Sequence, residues 1–215
     1  MNQFSPSSRP LIKVCGLREA ENIRAVEAAG ADWFGFIFYP PSPRHVSQVP
    51  VYLPQRGLRV GVFVHPQPAE VLCQAERFGL SAVQLHGQVS DACCRELHRH
   101  GLLVVRALPV TPRLSLDAAG SPEADAFVFD TPTPAYGGSG QTYDWQQLKD
   151  YTGSRPFLLS GGLSPASVPA LLHFAHPACM GYDLNSGFET APGLKDAEAV
   201  RSFVLAVRGA DATHY

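Results

Sequence analysis

Residues 79–107 read GLSAVQLHGQVSDACCRELHRHGLLVVRA. The stretch opens on Gly79, runs through the apolar, β-rich segment AVQLH (82–86) and enters SDACCRELHRH (90–100), where Ser90 stands as the N-cap of a helical pattern. A second glycine, Gly101, then precedes a second apolar run, LLVVRA (102–107). This is one βα unit and the start of the next, with a glycine at the helix end, where a left-handed residue is least costly. The same mark recurs upstream: Gly30 precedes ADWFGFIF and Gly57 precedes LRVGVFV, each spaced by about one strand, one short helix and two loops. Each of these glycines is expected to close a helix.

Working outward from that unit gives eight candidate strands: 11–15, 33–38, 59–64, 82–86, 102–107, 126–130, 156–160 and 180–184. Helical patterns occupy 19–29, 68–78, 90–100, 164–175 and 195–208, while the fifth and sixth helical segments are weak. Eight strands interleaved with helices predict an α/β chain folded as a single-domain (β/α)8 TIM barrel over residues 11–208, with a flexible leader at 1–10 and a tail at 209–215. The rival is an open doubly wound sheet. It usually has fewer strands and a glycine-rich turn after the first, and no GxGxxG follows LIKVC.

The chain has 215 residues, 45% of them hydrophobic, and its 17 Lys+Arg against 19 Asp+Glu leave a net charge of −2. That balance argues against coating nucleic acid or an anionic membrane and points to a small-molecule partner. No apolar stretch approaches the roughly 18 residues of a membrane span, and MNQFSPSSRP lacks the apolar region of a signal peptide, so a cytoplasmic location is expected. Five cysteines (Cys15, Cys73, Cys93, Cys94 and Cys179) are irregularly spaced, which does not suit a disulfide framework. Neither CxxC nor HExxH occurs, and no metal site is expected.

In a barrel of this kind the chemistry lies at the C-terminal ends of the strands. Those positions read Cys15, Phe38, Val64, His86, Arg106, Asp130, Ser160 and Asp183, several polar where apolar packing would be ordinary. Cys15 can equally be a small buried hydrophobe, and Asp130 can simply cap the TPTP turn after its strand. The loops SGGLSP after strand 7 and LNSGFET after strand 8 place Gly161, Gly162, Ser186 and Gly187 where backbone N–H groups can approach a phosphate. YGGSGQTYDW after strand 6 reads as a mobile loop or lid. In YPPSPRHVS, prolines hold Arg44 as a rigid guanidinium for a carboxylate or phosphate, unless it is an ordinary surface arginine.

At these loops the sequence resembles the phosphoribosylanthranilate isomerase family. The matching segments are KVCGLRE, GFIFYPPSPRHVS, GVFVHP, VQLHGQ, FVFDT, GGSGQTYDW, LLSGGLSP and GYDLNSGFETAPGLKD, spread over residues 12–196. The resemblance implies an Amadori rearrangement of N-(5-phosphoribosyl)anthranilate in tryptophan biosynthesis, with Cys15 as general base and Asp130 as general acid. It also implies that Arg44 holds the anthranilate carboxylate, that Gly161, Gly162, Ser186 and Gly187 hold the phosphate, and that Gln84, His86 and Asp183 support the site. A proton-shuffling isomerisation needs no cofactor, so none is expected; the partner is a phosphosugar, and the chain is a monomer or homodimer. Arg18, His65 and Gln141 depart from the family pattern at Thr, Asn or Asp, and Lys. The histidine-pathway aminoaldose isomerases resemble the chain less, having Asp at the end of strand 1, and a phosphosugar-binding barrel without catalysis is the remaining alternative.

Overall fold

The computed structural model describes residues 9–111, 114–131 and 144–209. Eight parallel strands close into a barrel in sequence order: β1 (Leu11–Cys15), β2 (Trp33–Ile37), β3 (Leu58–Val64), β4 (Ala82–His86), β5 (Leu103–Pro109), β6 (Ala126–Asp130), β7 (Phe157–Leu159) and β8 (Cys179–Leu184). Around it run α1 (Ala20–Ala28), α2 (Pro68–Phe78), α3 (Asp91–Arg99), α4 (Leu114–Ala119), α5 (Val168–Leu172) and α6 (Ala197–Gly209). Alternation divides each strand between two cores. Trp33, Val60, Ala82, Val105, Val128 and Leu158 plug the barrel, while Ile12, Val14, Phe34, Val83 and Phe127 pack outward under the helices. Val200, Phe203, Val204 and Val207 supply the buried stripe of α6 at helical spacing.

The glycine punctuation is present, with φ of 96° at Gly30, 73° at Gly57, 58° at Gly79 and 76° at Gly101. Gly57 nevertheless closes no helix. Between β2 and β3 the chain carries five prolines, and among the described residues its regular pairing is limited to the isolated bridge from Ile37 to His45. Proline removes helix donors, so this span is tied down by other means: Glu27 accepts the Tyr52 hydroxyl and the Gln55 and Arg56 N–H groups. Of the two weak helices, one is the short α4. The other is a 3₁₀ helix at Trp145–Asp150, capped by the Asp144 carboxylate on Gln146 N at 3.0 Å.

Register corrects two of the strand-end residues. Arg106 and Phe38 point away from the mouth: Arg106 Nη2 donates to Gly87 O at 2.8 Å, and the Phe38 ring stacks on Phe63 with centroids 5.0 Å apart. On β5 the barrel-facing positions are Leu103, Val105 and Ala107, so Arg106 belongs to the helix side. After β8 comes a 3₁₀ turn (Ser186–Phe188) and then a two-stranded hairpin, β9 (Glu189–Ala191) with β10 (Leu194–Lys195), that the sequence pattern did not suggest. Among the described residues no helix is long and apolar enough to cross a membrane. The expected leader and tail lie outside the described residues apart from Arg9, Pro10 and Gly209, and the expected lid lies there apart from Asp144 and Trp145.

Candidate active site

A cavity of about 320 Å³ opens at the C-terminal mouth of the barrel, lined by Cys15, Arg44, Gln84, His86, Asp130 and Asp183 among others. The fold thus gathers six predicted residues from four strands and the β2–β3 loop. Gly161, Gly162 and Ser186 line it as well. Gly161 and Gly162 have φ of 88° and 65°, left-handed conformations that keep side chains out of the turn after β7. Gly187 is not on the cavity wall. It lies against the Leu163 carbonyl, where any Cβ would collide, so it locks the two proposed phosphate loops together.

Cys15 ends β1 on the inward face, opposite Gly35 in register. A Cβ at position 35 would sit 2.9 Å from the Cys15 sulfur, so glycine there is what leaves room for the thiol. Lys13, two residues earlier on the same face, is completely buried, and its Nζ lies 2.6 Å from Asp183 Oδ2 across the β1–β8 seam. Burial pushes the Cys15 thiol up from its ordinary range, and Lys13 and, at lesser strength, Lys195 pull against that rise. Burial also opposes the charge on Lys13, but the Asp183 carboxylate and the Cys15 sulfur outweigh it and hold the ammonium protonated.

Asp130 ends β6 on the facing wall. Its carboxyl is pushed up to about 6, first by burial and further by the negative Asp183, against the Thr131 N–H at 2.8 Å, Lys13 and the Ser160 hydroxyl. His86 is held neutral, its pKa lowered to about 3 by burial and by the cations Lys13 and Arg106. Gln84 Nε2 donates to His86 Nε2 at 2.9 Å. Among the described residues Gln84 Oε1 and Asp183 Oδ1 are buried without a hydrogen-bond partner, two acceptors on the cavity wall suited to ligand hydroxyls.

Arg44 is no loose surface arginine. Its Nε and Nη2 grip Glu189 at 2.9 and 2.7 Å, and Glu189 Oε1 also takes Lys195 Nζ at 2.6 Å. Two cations around one carboxylate leave one positive charge in excess at the mouth, which suits an anionic group. Arg18 braces the same corner, joining Pro43 O and Pro192 O at 3.1 Å each. His65, the departure after β3, takes φ of 50° and accepts the Gln88 N–H; Gln141 lies outside the described residues. No group of three His, Cys, Asp or Glu is placed to hold a metal among the described residues.

The family model for N-(5'-phosphoribosyl)anthranilate (PRA) isomerase matches residues 12–206, nearly the whole chain. The chain belongs to the phosphoribosylanthranilate isomerase family. The N-(5'-phosphoribosyl)anthranilate isomerase of Phocaeicola vulgatus is 52% identical over 196 residues, covering 90% of this chain and 96% of that protein. The crystal structure of phosphoribosyl anthranilate isomerase from Thermotoga maritima is 35% identical with a TM-score of 0.80, covering 93% and 99% of the two chains. A structure of the family's enzyme in complex with reduced 1-(o-carboxyphenylamino)-1-deoxyribulose 5-phosphate has a TM-score of 0.78 at 31% identity, covering 93% and 99%.

In this member of the isomerase family, reading the sequence missed Lys13, Glu189 and Lys195. Lys13 had a visible signal: a cation in the middle of LIKVC, on the same face as Cys15 by period-two spacing. Glu189 and Lys195 had none, because a carboxylate and a lysine in a polar loop look solvated until the hairpin buries them.

Proposed function

We infer that the chain isomerises N-(5-phosphoribosyl)anthranilate to 1-(2-carboxyphenylamino)-1-deoxyribulose 5-phosphate in tryptophan biosynthesis, with Asp130 as acid and Cys15 as base. The observation that carries the assignment of roles is one cavity holding two groups on facing walls, a half-buried carboxyl raised to about 6 and a buried sulfur on the same face as a lysine. Asp130 gives its proton to the ribose ring oxygen, the C1′–O bond breaks, and the nitrogen lone pair forms an iminium. The Cys15 thiolate removes the C2′ proton, and the C–H electrons flow into C1′=C2′ and onto nitrogen, giving the enolamine. Return of that proton to C1′ and passage of the C2′ hydroxyl proton to Asp130 yields the ketone and restores both groups.

Arg44 receives the anthranilate carboxylate, and the loops around Gly161, Gly162, Ser186 and Gly187 receive the phosphate. These anchors stand away from the bonds that change, so they align the ribose between acid and base. Gln84 and Asp183 offer their free oxygens to sugar hydroxyls, and neutral His86 holds Gln84 in place. All of these residues come from one chain, so the site suits a monomer or a homodimer in the cytoplasm.

The test follows anthranilate-type fluorescence when purified protein meets freshly generated N-(5-phosphoribosyl)anthranilate, with and without chelator. Rapid decay that Cys15→Ala abolishes and chelator leaves unchanged is expected. No decay above background from folded protein overturns the reading in favour of the histidine-pathway substrate or a phosphosugar binder.

A further inference from the structure

We propose that Lys13 is a positioning residue whose ammonium is shared between the Cys15 sulfur and the Asp183 carboxylate, so that the ion pair closing the barrel also readies the base. The inference rests on Cys15 being that base. Lys13, Cys15 and Asp183 have relative exposures of 0%, 4% and 5%; the Lys13 ammonium bonds Asp183 Oδ2 at 2.6 Å, and the Cys15 sulfur, two residues along the same face of β1, feels its charge. An ammonium has three N–H donors on one flexible stem, so it can serve a carboxylate and a sulfur together.

Barrel closure alone does not call for these residues. A buried ion pair is weak evidence for stability, since apolar residues of similar volume often do as well. The plug below is built that way, from Val60, Ala82, Val105 and Val128. The other charged or titratable groups around Cys15 are committed elsewhere. Lys195, from β10, is held by Asn185 Oδ1 at 2.7 Å and by Glu189; Arg44, from the β2–β3 loop, grips Glu189. Asp130 stands on the facing wall and His86 is neutral. Lys13 is therefore the cation that acts most strongly on the sulfur, and Asp183 is the anion that draws part of its charge away.

This arrangement predicts effects of opposite sign. Removing Lys13 takes attraction from the thiolate, whereas removing the charge of Asp183 takes away repulsion and frees Lys13 for the sulfur. A pair that merely fastened β1 to β8 would lower stability in both variants without separating them in this way.

The experiment measures iodoacetamide alkylation of Cys15 against pH in the free protein, following the Cys15 peptide by mass spectrometry so that the exposed Cys73 does not contribute. The midpoint is expected to rise by about one pH unit in Lys13→Met and to fall by about one unit in Asp183→Asn, each equivalent to about tenfold in thiolate at fixed pH. The double variant Lys13→Met/Asp183→Asn leaves no unpaired buried charge, and a smaller upward shift is expected there. It carries the test if either single variant fails to fold. Unchanged midpoints, or shifts of the same sign in the two single variants, overturn the proposal. Turnover retained by Cys15→Ala would instead remove the base assignment, a failure that the alkylation midpoints register separately.

Discussion

The two walls of the mouth are unequally buried and oppositely equipped: Cys15 is buried, Asp130 half-buried. On the β1 and β8 side, Cys15 has Lys13 two residues away on the same face and Lys195 nearby, and both lysines meet carboxylates. On the β6 and β7 side, the hydrogen bonds to Asp130 among the described residues come from a backbone N–H and a serine hydroxyl 3.5 Å away. Burial raises the pKa of both groups, which helps an acid that must hold its proton and hinders a base that must lose one. The form that the proposed mechanism needs, protonated Asp130 with a Cys15 thiolate, is thus a minor state of the free protein. Among the described residues, the proposed acid is thus set apart by few partners and the proposed base by the cations beside it.

The largest way to break this comparison is to delete either group. Cys15→Ala and Asp130→Asn should each lower kcat by at least about 10²-fold, the low end of a general acid or base contribution, with far-UV circular dichroism unchanged. The second effect is on stability and concerns Asp130 alone. Its folded pKa of about 6 lies above the ordinary 3.8, so the native state keeps a proton that the unfolded chain releases. Stability from this group is therefore full below about pH 4 and lost as pH rises through 6, by up to ~3 kcal/mol. Asp130→Asn should abolish that slope in urea titrations between pH 4 and 7, leaving an inactive protein more stable than the wild type at neutrality.

Smaller changes sharpen the comparison. Arg44→Ala removes a charge-assisted anchor of about 1.5–3 kcal/mol, so KM should rise tenfold or more while kcat falls less; an unchanged KM would take Arg44 out of the site. Arg106→Met alters a strand-end residue on the helix side, and steady-state kinetics should stay within about threefold while the melting temperature drops through loss of the bonds to Gly87 and Val89.

Much of the site was legible because a strand alternates strictly. Once 11–15 and 126–130 are strands of a barrel, Cys15 and Asp130 must occupy its mouth, and the βα rhythm delivers Gln84, His86 and Asp183 in the same way. Where regular elements gave out, reading failed. The proline-rich span before β3 hid the absence of a helix, and the residues after β8 concealed a hairpin that turns Glu189 and Lys195 inward. Arg106 and Phe38 were misplaced because the last polar or apolar residue of a run does not fix its face; the register with neighbouring strands does.

The sequence by itself determined the strands, the glycine stops between them, the order of the βα units and the residue types of the proposed acid and base. Those features are encoded within a few neighbouring residues by propensity, periodicity and backbone sterics. Only the tertiary structure decided which charge meets which. Lys13 and Asp183 are 170 residues apart in the chain, and Arg44 and Glu189 are 145 apart. Each pair exists because the barrel closes β8 onto β1 and folds the β9–β10 hairpin over the mouth, and ionic contact depends on distance in space, which no local pattern carries.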